Sequence, residues 1–591
     1  MTKKDYTKWD RNELIKEIDY LRNRKKYGLV WEDKQEDVVE QCKKELPVLE
    51  EVKSKEIITD PDKPINLLIE GDNYHALSVL NYTHKGKIDV IYIDPPYNTG
   101  NKDFVYNDQY VDAEDGYKHS KWLSFMSKRL ELAKNLLKNT GVIFISIDDN
   151  EVHNLRHLCD DIFGENNFIA QIIRASSPTQ NITRFISVMH DYCLVYCKDK
   201  LKNDGNWQVK KNGAAEFENK AKKLLKSGLS FVEIENELKH LVKYPRFFDF
   251  DHYYYVDEKG VYQTVSAGGV KKGNSQSILF HPKTKKPCKI PENGWRYKEG
   301  EIRRLENENL WHFGIDETTI PRKKLYLNDY IMQKPKGIGF FDSQSDVRYL
   351  KNLEVNFDFP KPTSFIRWLL QMTSSDKAII LDFMAGSGST GHAVLDLNKE
   401  DQGNRKFILC TNNELNGKGS ELARENPNKN QEEFGICRRV CYPRLRNVIN
   451  GCKELNDNTI EDIGGNLKYF KTSFVPADPT DKNKIELTQK ATEMLCVKED
   501  TFEEVKSNKQ YKIFRNKKRY TGIVFDHQAI DDFKKEIARI DGKFSVYIFS
   551  LSNDDYSDEF FDIKKKIKLS PIPEVILEVY REIFKAKGKK I

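Results

Sequence analysis

Two short segments hold the residue types that could do chemistry. The first is Asp94-Pro95-Pro96-Tyr97, at the end of the apolar run Ile88-Asp89-Val90-Ile91-Tyr92-Ile93. A carboxylate, two prolines and an aromatic ring in four residues suit the activation of an exocyclic amine on a flat base. Such an amine is a poor nucleophile because its lone pair is delocalised into the ring. The Asp94 carboxylate and the Pro95 carbonyl are both acceptors, and together they can hold the two amine hydrogens and favour a pyramidal nitrogen. Pro95 and Pro96 also fix the backbone and remove two N–H donors that would compete. Tyr97 offers an aromatic face to a base withdrawn from a duplex. No cysteine lies near this loop, and neither a metal nor a covalent enzyme intermediate is required.

The second segment is Gly386-Ser387-Gly388-Ser389-Thr390-Gly391, which fits G-x-G-x-x-G. It follows the strand-like run Ala378-Ile379-Ile380-Leu381-Asp382-Phe383 and leads into a helical pattern, the setting in which a glycine loop lets a cofactor approach the backbone. Asp382 stands at the strand tip. Glu414 ends the next strand, Lys406-Phe407-Ile408-Leu409-Cys410, where a carboxylate can accept from both hydroxyls of a ribose. Any nucleoside-containing cofactor fits this pair, including the dinucleotide of a dehydrogenase.

The elements that must position these loops alternate between strand and helix. Apolar runs at 65–69, 88–93, 142–147 and 192–196 are interrupted by a helical pattern through Trp122, Phe125, Met126, Leu130, Ala133 and Leu137, which predicts a parallel α/β sheet. The rhythm stops at 198–353 and resumes near 378, so the sheet is encoded in two pieces around an insertion. Residues 1–58 read as a helical arm dense in mixed charge, and residues after about 472 as a further mixed segment with a lysine-rich end.

A chain of 591 residues exceeds one hydrophobic core, and about two to four domains are expected. No apolar run approaches the roughly 20 residues that cross a bilayer, and the N-terminus lacks a secretory signal, so a cytoplasmic protein is expected. The ten cysteines suit a reducing compartment. Cys193/Cys197 and Cys437/Cys441 have no second pair at zinc spacing, so no metal is expected. The net charge of +6 permits nucleic-acid binding without demanding it. The absence of a G-x-x-x-x-G-K-[ST] loop argues against an ATP-driven translocase on this chain.

With Asn98-Thr99-Gly100 and Asp103-Phe104-Val105-Tyr106-Asn107-Asp108 behind it, the first segment resembles the catalytic motif of beta-class amino-methyltransferases, in particular the modification (Mod) subunits of Type III restriction-modification systems. Leu381 through Ala393 resembles their S-adenosylmethionine motif. The catalytic motif precedes the cofactor motif by about 290 residues, the permuted order of that class. The resemblance implies a circularly permuted Rossmann-like α/β methyltransferase sheet with an inserted target-recognition domain and helical or mixed extensions. The domains would be an arm at 1–58, methyltransferase parts at 59–197 and 354–471, recognition at 198–353, and a C-terminal domain at 472–591 for dimer or partner contacts. It implies catalysis by Asp94, Pro95, Pro96 and Tyr97 on a flipped adenine. S-adenosylmethionine would be held by Asp382, Phe383, Ala385, Gly386, Ser387, Gly388, Thr390 and Glu414. By weaker likeness, Asp72 and Asn73 would flank the cofactor's adenine, and Lys361 and Pro362 its methionine end. Met384 and Ser389 stand where an aromatic and a threonine are common, which bears on cofactor fit.

Within the insertion, Lys271, Lys272, Lys283, Lys285, Lys286, Arg296, Arg303, Arg304, Arg322 and Lys323 are interleaved with Trp295, Tyr297 and Trp311 and suit contact with double-stranded DNA. The expected reaction is methylation of adenine N6 in DNA by a homodimer, with a separate restriction subunit as a further partner. The readings set against it are a stand-alone adenine methyltransferase, a cytosine-N4 enzyme, whose motif more often begins with Ser, and a catalytically idle DNA-specificity subunit. A dehydrogenase leaves Asp94 to Tyr97 unexplained.

Overall fold

The computed structural model describes residues 9–585, apart from 16, 18–28, 30, 102, 108, 177–184, 212, 271–274, 353–354, 356, 358–359, 416, 454–458, 553 and 555. The chain divides into two compact units, one formed by Met1–Gly205 with Phe341–Ile591 and the other by Asn206–Phe340. Where sequence places an insertion at 198–353, the second unit begins eight residues later and ends thirteen earlier.

The first unit is built on one large sheet. Its longer strands are β1 (Glu45–Glu51), β2 (Ile65–Glu70), β3 (Ile88–Ile93), β4 (Leu137–Ile147), β5 (Phe168–Ala175), β6 (His190–Cys197), β7 (Ile379–Asp382), β8 (Lys406–Thr411) and β9 (Asn466–Pro476). In space they run β1-β9-β2-β8-β7-β3-β4-β6-β5. The centre, from β9 to β4, is parallel, while β1, β6 and β5 join antiparallel. The helices that frame the site are α1 (Asp37–Lys44), α2 (Asn73–Thr83), α3 (Lys118–Leu136), α4 (Thr363–Thr373) and α5 (Ser389–Asp401). Central parallel strands are covered on both faces, which is why they read as unbroken apolar runs. Val90, Ile91, Ile93, Ile143, Ile145, Leu381 and Leu409 are almost wholly buried. No described helix is long and apolar enough to cross a membrane.

Two expectations are corrected. The stretch at 36–55 was expected to be helical, but α1 gives way to β1, whose buried Leu46, Val48 and Leu49 alternate poorly with its glutamates. Pairing with β9 overrides the charge pattern, with Glu45 opposite Pro476 and Glu51 opposite Phe470. β9 runs through the anticipated boundary at 471/472, and residues 472–591 add a separate five-stranded sheet over 503–572 with its own core around Ile513, Phe533 and Val546. The main core extends into them through Ile523, Tyr547 and Tyr580, and the Tyr580 hydroxyl donates to the Pro47 carbonyl.

Candidate active site

In the register of β7 against β3, Ile380 lies opposite Val90 and Leu381 opposite Ile91. Asp382 and Asp94 therefore close neighbouring strands at the same carboxyl edge, although about 290 residues separate them in sequence. From β7 the chain passes through α5 to β8 on one side, and from β3 it passes through α3 to β4 on the other. The onward connections thus part between β7 and β3, and in open α/β sheets ligands bind in the crevice outside such a switch point.

The Asp94 loop is held from below. The Trp122 indole N–H donates to the Pro96 carbonyl at 2.7 Å. Asn98 adopts a left-handed φ of 58°, and its amide donates to Glu151 Oε1 at 2.6 Å. The buried Glu151 also binds His119 Nδ1 at 2.6 Å and accepts from Asn154 at 2.7 Å. Asp94 Oδ1 is out of contact with solvent and makes no hydrogen bond. Its nearest charge is the Lys361 ammonium, 3.5 Å away. Burial raises the Asp94 pKa, Lys361 opposes that rise, and Asp191 adds to it.

Around Tyr97 lies a charged cluster that sequence reasoning missed. The Lys361 ammonium donates to the Tyr97 hydroxyl and, at 2.7 Å, to Asp191 Oδ2. Arg174 grips Asp191 through Nε and Nη2, each at 2.7 Å. Burial alone would raise the Asp191 pKa, but Lys361 and Arg174 hold it below the usual carboxylate value. The available signal was a charged residue, Asp191, heading the apolar run of β6. Lys361, expected beside the cofactor, reaches the Asp94 loop, and Pro362 stands at the N-terminal end of α4.

The glycine loop is shaped by Asp382. One carboxylate oxygen accepts from the Met384 N–H at 2.9 Å and the other from the Thr390 hydroxyl at 2.5 Å. Burial pushes the Asp382 pKa up to about 7 despite these bonds, with the nearby Asp94 charge contributing. Gly386 and Gly388 have φ of +50° and +78°, backbone that L side chains rarely adopt. A Cβ on Gly391 would lie 2.7 Å from Leu445 Cδ2, so this third glycine serves helix packing. Phe383 and Ala385 are buried. Beneath the loop the fully buried Arg444 donates to Ser389 Oγ at 2.8 Å, Ser387 Oγ at 3.2 Å and Thr363 Oγ1 at 2.9 Å.

At the end of β2, Asp72 caps α2 by accepting from the Tyr74 N–H at 2.7 Å. The buried Arg129 donates to Asn73 Oδ1 and pairs with Glu36 at 2.7 Å and Asp72 at 3.4 Å. Glu414 follows β8 with its side chain exposed, and the Asp72 charge lies near enough to act on it.

In the second unit, Lys271 and Lys272 lie outside the described residues. Lys283, Lys285, Lys286 and Arg296 are exposed. His281 Nδ1 accepts from the N–H groups of Lys283 and Thr284, at 3.3 and 3.2 Å. Its Nε2 therefore carries the proton, donated to the Gly314 carbonyl at 3.1 Å. The buried imidazole thus builds the turn that presents the lysines. Lys286 pairs with Glu317 at 3.2 Å. Arg303 pairs with Glu299, and Arg304 with Glu301 and Glu308. Arg322 donates to the Thr264 carbonyl at 3.2 Å, and Lys323 lies 5.1 Å from the Tyr297 ring centroid. Trp295 and Trp311, interleaved with the basic clusters in sequence, are core residues with ring centroids 5.1 Å apart, packed with Leu279, Ile302 and Leu305.

The strand order, with a glycine loop and an Asp-Pro-Pro-Tyr loop facing one another at the switch point, defines a circularly permuted Rossmann-like methyltransferase fold. The chain belongs to the DNA methylase family N6_N4_Mtase, whose model matches residues 88–414 and so includes both loops and the unit between them. It is 34% identical over 383 residues to the Type III restriction-modification enzyme EcoP15I Mod subunit of Escherichia coli, covering 58% of each chain. It is 32% identical over 374 residues to the StyLTI Mod subunit of Salmonella typhimurium, covering 58% of this chain and 52% of that one. The Type II methyltransferase M.KpnI of Klebsiella pneumoniae is 29% identical over 376 residues, covering 58% of this chain and 79% of that one. The chain thus spans little more than half the length of the Type III Mod subunits it matches.

Proposed function

We propose that this protein methylates the N6 amine of an adenine flipped out of double-stranded DNA, with S-adenosylmethionine as donor, and that it serves as the modification subunit of a Type III restriction-modification system. The observation that carries the reading is Asp94 Oδ1, a buried carboxylate oxygen without a hydrogen bond at the switch point of the sheet. Leaving such an acceptor unpaired is costly, and an exocyclic amine supplies the donor it lacks. The Pro95 carbonyl takes the second amine hydrogen, and Tyr97 stacks on the base.

The residues at the glycine loop fit the cofactor. A Cβ at Gly386 would meet nothing nearer than 4.0 Å, so the loop borders open space, and Asp72 and Glu414 offer carboxylates to the nucleoside. Phe383, Ala385, Ser387, Gly388 and Thr390 shape the cradle. Bound there, S-adenosylmethionine would supply an electrophilic methyl group. Asp94 at the head of the motif favours adenine over cytosine N4. The unit at 206–340 reads the target site, with the lysine turn at Lys283–Lys286 and Arg296 against phosphates or base edges. The protein acts as a homodimer and associates with a separate restriction subunit. Similarity to a Type II enzyme over 79% of that enzyme supports a second reading, a methyltransferase acting without such a subunit.

The test is to incubate the protein with unmethylated genomic DNA and S-adenosylmethionine and to map modified bases. N6-methyladenine at one short sequence, lost in Asp94→Ala by roughly 10²–10³-fold or more, is the expected result. Modified cytosine would move the substrate, and folded protein that modifies nothing would overturn the reading. A monomer on and off DNA by light scattering would remove the dimer.

A further inference from the structure

Lys361 is the cation nearest Asp94 Oδ1 among the described residues. Its ammonium is 2.7 Å from Asp191 Oδ2, donates to the Tyr97 hydroxyl, and lies 3.5 Å from Asp94 Oδ1 without hydrogen bonding to it. It stands 4.7 Å from the Tyr97 ring centroid. Being in hydrogen-bond contact with the hydroxyl at that distance, it sits toward the hydroxyl end of the ring, which is itself partly buried against the main core. Arg174 fixes Asp191 bidentately on the far side. The backbone beside Lys361 is also pinned: the Thr363 N–H donates to Asp346 Oδ1 at 3.0 Å, and Thr363 Oγ1 accepts from Arg444, which also reaches the glycine loop.

We infer that Lys361 is a positioning residue for the target base: tethered by Asp191 and Arg174, it fixes the plane of Tyr97 and keeps Asp94 an acceptor. The inference rests on the methyltransferase reading above. An ammonium only donates, so its presence beside Asp94 favours the ionised carboxylate, whose oxygens can both accept from an amine. A protonated Asp94 would present a donor to the amine instead. The groups facing Asp94 are Lys361, Asp191, Tyr97 and Arg174, with Tyr92 on its own strand and Asp382 on β7. Lys361 is the largest of these opposing the rise that burial imposes. Removing it raises the Asp94 pKa further, and the acid limb of the pH–rate profile moves to higher pH.

The experiment compares wild type, K361M, K361R and D94A on a duplex carrying the mapped site, with and without 2-aminopurine at the target. K361M is expected to lose roughly tenfold or more in kcat/KM, chiefly through KM for DNA. Its acid limb should shift upward, its 2-aminopurine signal should fall, and its affinity for S-adenosylmethionine should stay within about twofold of wild type by calorimetry. K361R should recover most of the loss. D191N, which unties the ammonium but also removes a charge that raises the Asp94 pKa, should change KM in the same direction without the upward shift of the acid limb, and serves if K361M melts early. K361M matching wild type, or weakening cofactor binding with an unmoved acid limb, would overturn the role. A wild-type protein that methylates nothing overturns the function and this role with it, whereas an active wild type with an indifferent K361M overturns the role alone.

Discussion

At the carboxyl edge of the main sheet, Asp94, Asp191, Lys361 and Arg174 are largely withdrawn from solvent and tied together from four separate segments. In the second unit, Arg303 and Arg304 lie on one exposed helix, Glu299–Asn307, and pair with glutamates of the same short stretch, Glu299, Glu301 and Glu308. Buried charges with several fixed partners have one arrangement and strongly displaced proton affinities. Exposed pairs on one helix contribute little and exchange partners readily. The first design suits bond-making, which demands fixed geometry. The second leaves no fixed geometry and describes a solvated face whose charges are already balanced, unlike the lysines of the Lys283–Lys285 turn, which make no ion pair among the described residues.

The sharpest way to break this contrast is Tyr97→Ala. If the ring is the fixed platform for the base, its removal costs about 1–3 kcal/mol of stacking, read as a roughly 10- to 100-fold rise in KM for DNA with cofactor affinity unchanged. An unchanged KM would mean that the buried cluster serves folding alone. A smaller effect is expected from pH. The Asp382 carboxyl is raised to about 7 in the free protein, so its charged form gains population as pH rises through that value. A cationic cofactor favours the charged form. Its affinity should therefore climb between pH 6 and 8 by up to roughly tenfold and become flat in Asp382→Asn. Calorimetric titration decides this, and equal pH dependence in the variant would remove Asp382 from cofactor binding.

The smallest effects belong to the second unit and sharpen the comparison from its other side. Lys283 and Lys285 are exposed, with no ion pair among the described residues. Replacing both with Gln should weaken DNA binding several-fold and make the salt dependence shallower by about one unit of slope for each phosphate that is no longer neutralised. Arg303→Gln with Arg304→Gln should change affinity less than about twofold, because their charges are already met by glutamates. The reverse ranking in a salt titration would place the DNA path along that helix.

Much of the chemistry was legible because it depends on local residue order. Asp94-Pro95-Pro96-Tyr97 and the glycine loop each state their backbone needs within a few residues, and β2, β3, β4, β7 and β8 announce themselves as apolar runs. What sequence hid were the long-range partners. Nothing in the spacing of Arg174, Asp191 and Lys361 shows that these residues are joined into one charged cluster beside Tyr97. The charges of Glu45, Glu50 and Glu51 masked a strand whose pairing partner lies more than 400 residues away. Trp295 and Trp311, set among lysines in sequence, belong to a small core that the basic clusters surround in the chain.

The pairing of β3 with β7 has a consequence for how the protein is made. At about 5–20 residues per second, a ribosome emits β3 roughly 15–60 s before β7. During that interval the hydrogen-bonding edge of β3 has no native neighbour on one side, and the whole second unit is synthesised meanwhile. Contacts this distant in sequence are closed late and slowly. The nascent chain therefore carries an open, apolar strand edge, the kind that pairs with other chains, until the cofactor half arrives to cover it. The permuted order of the two loops thus sets a period of vulnerability during translation, which raising the temperature of expression would expose as aggregation.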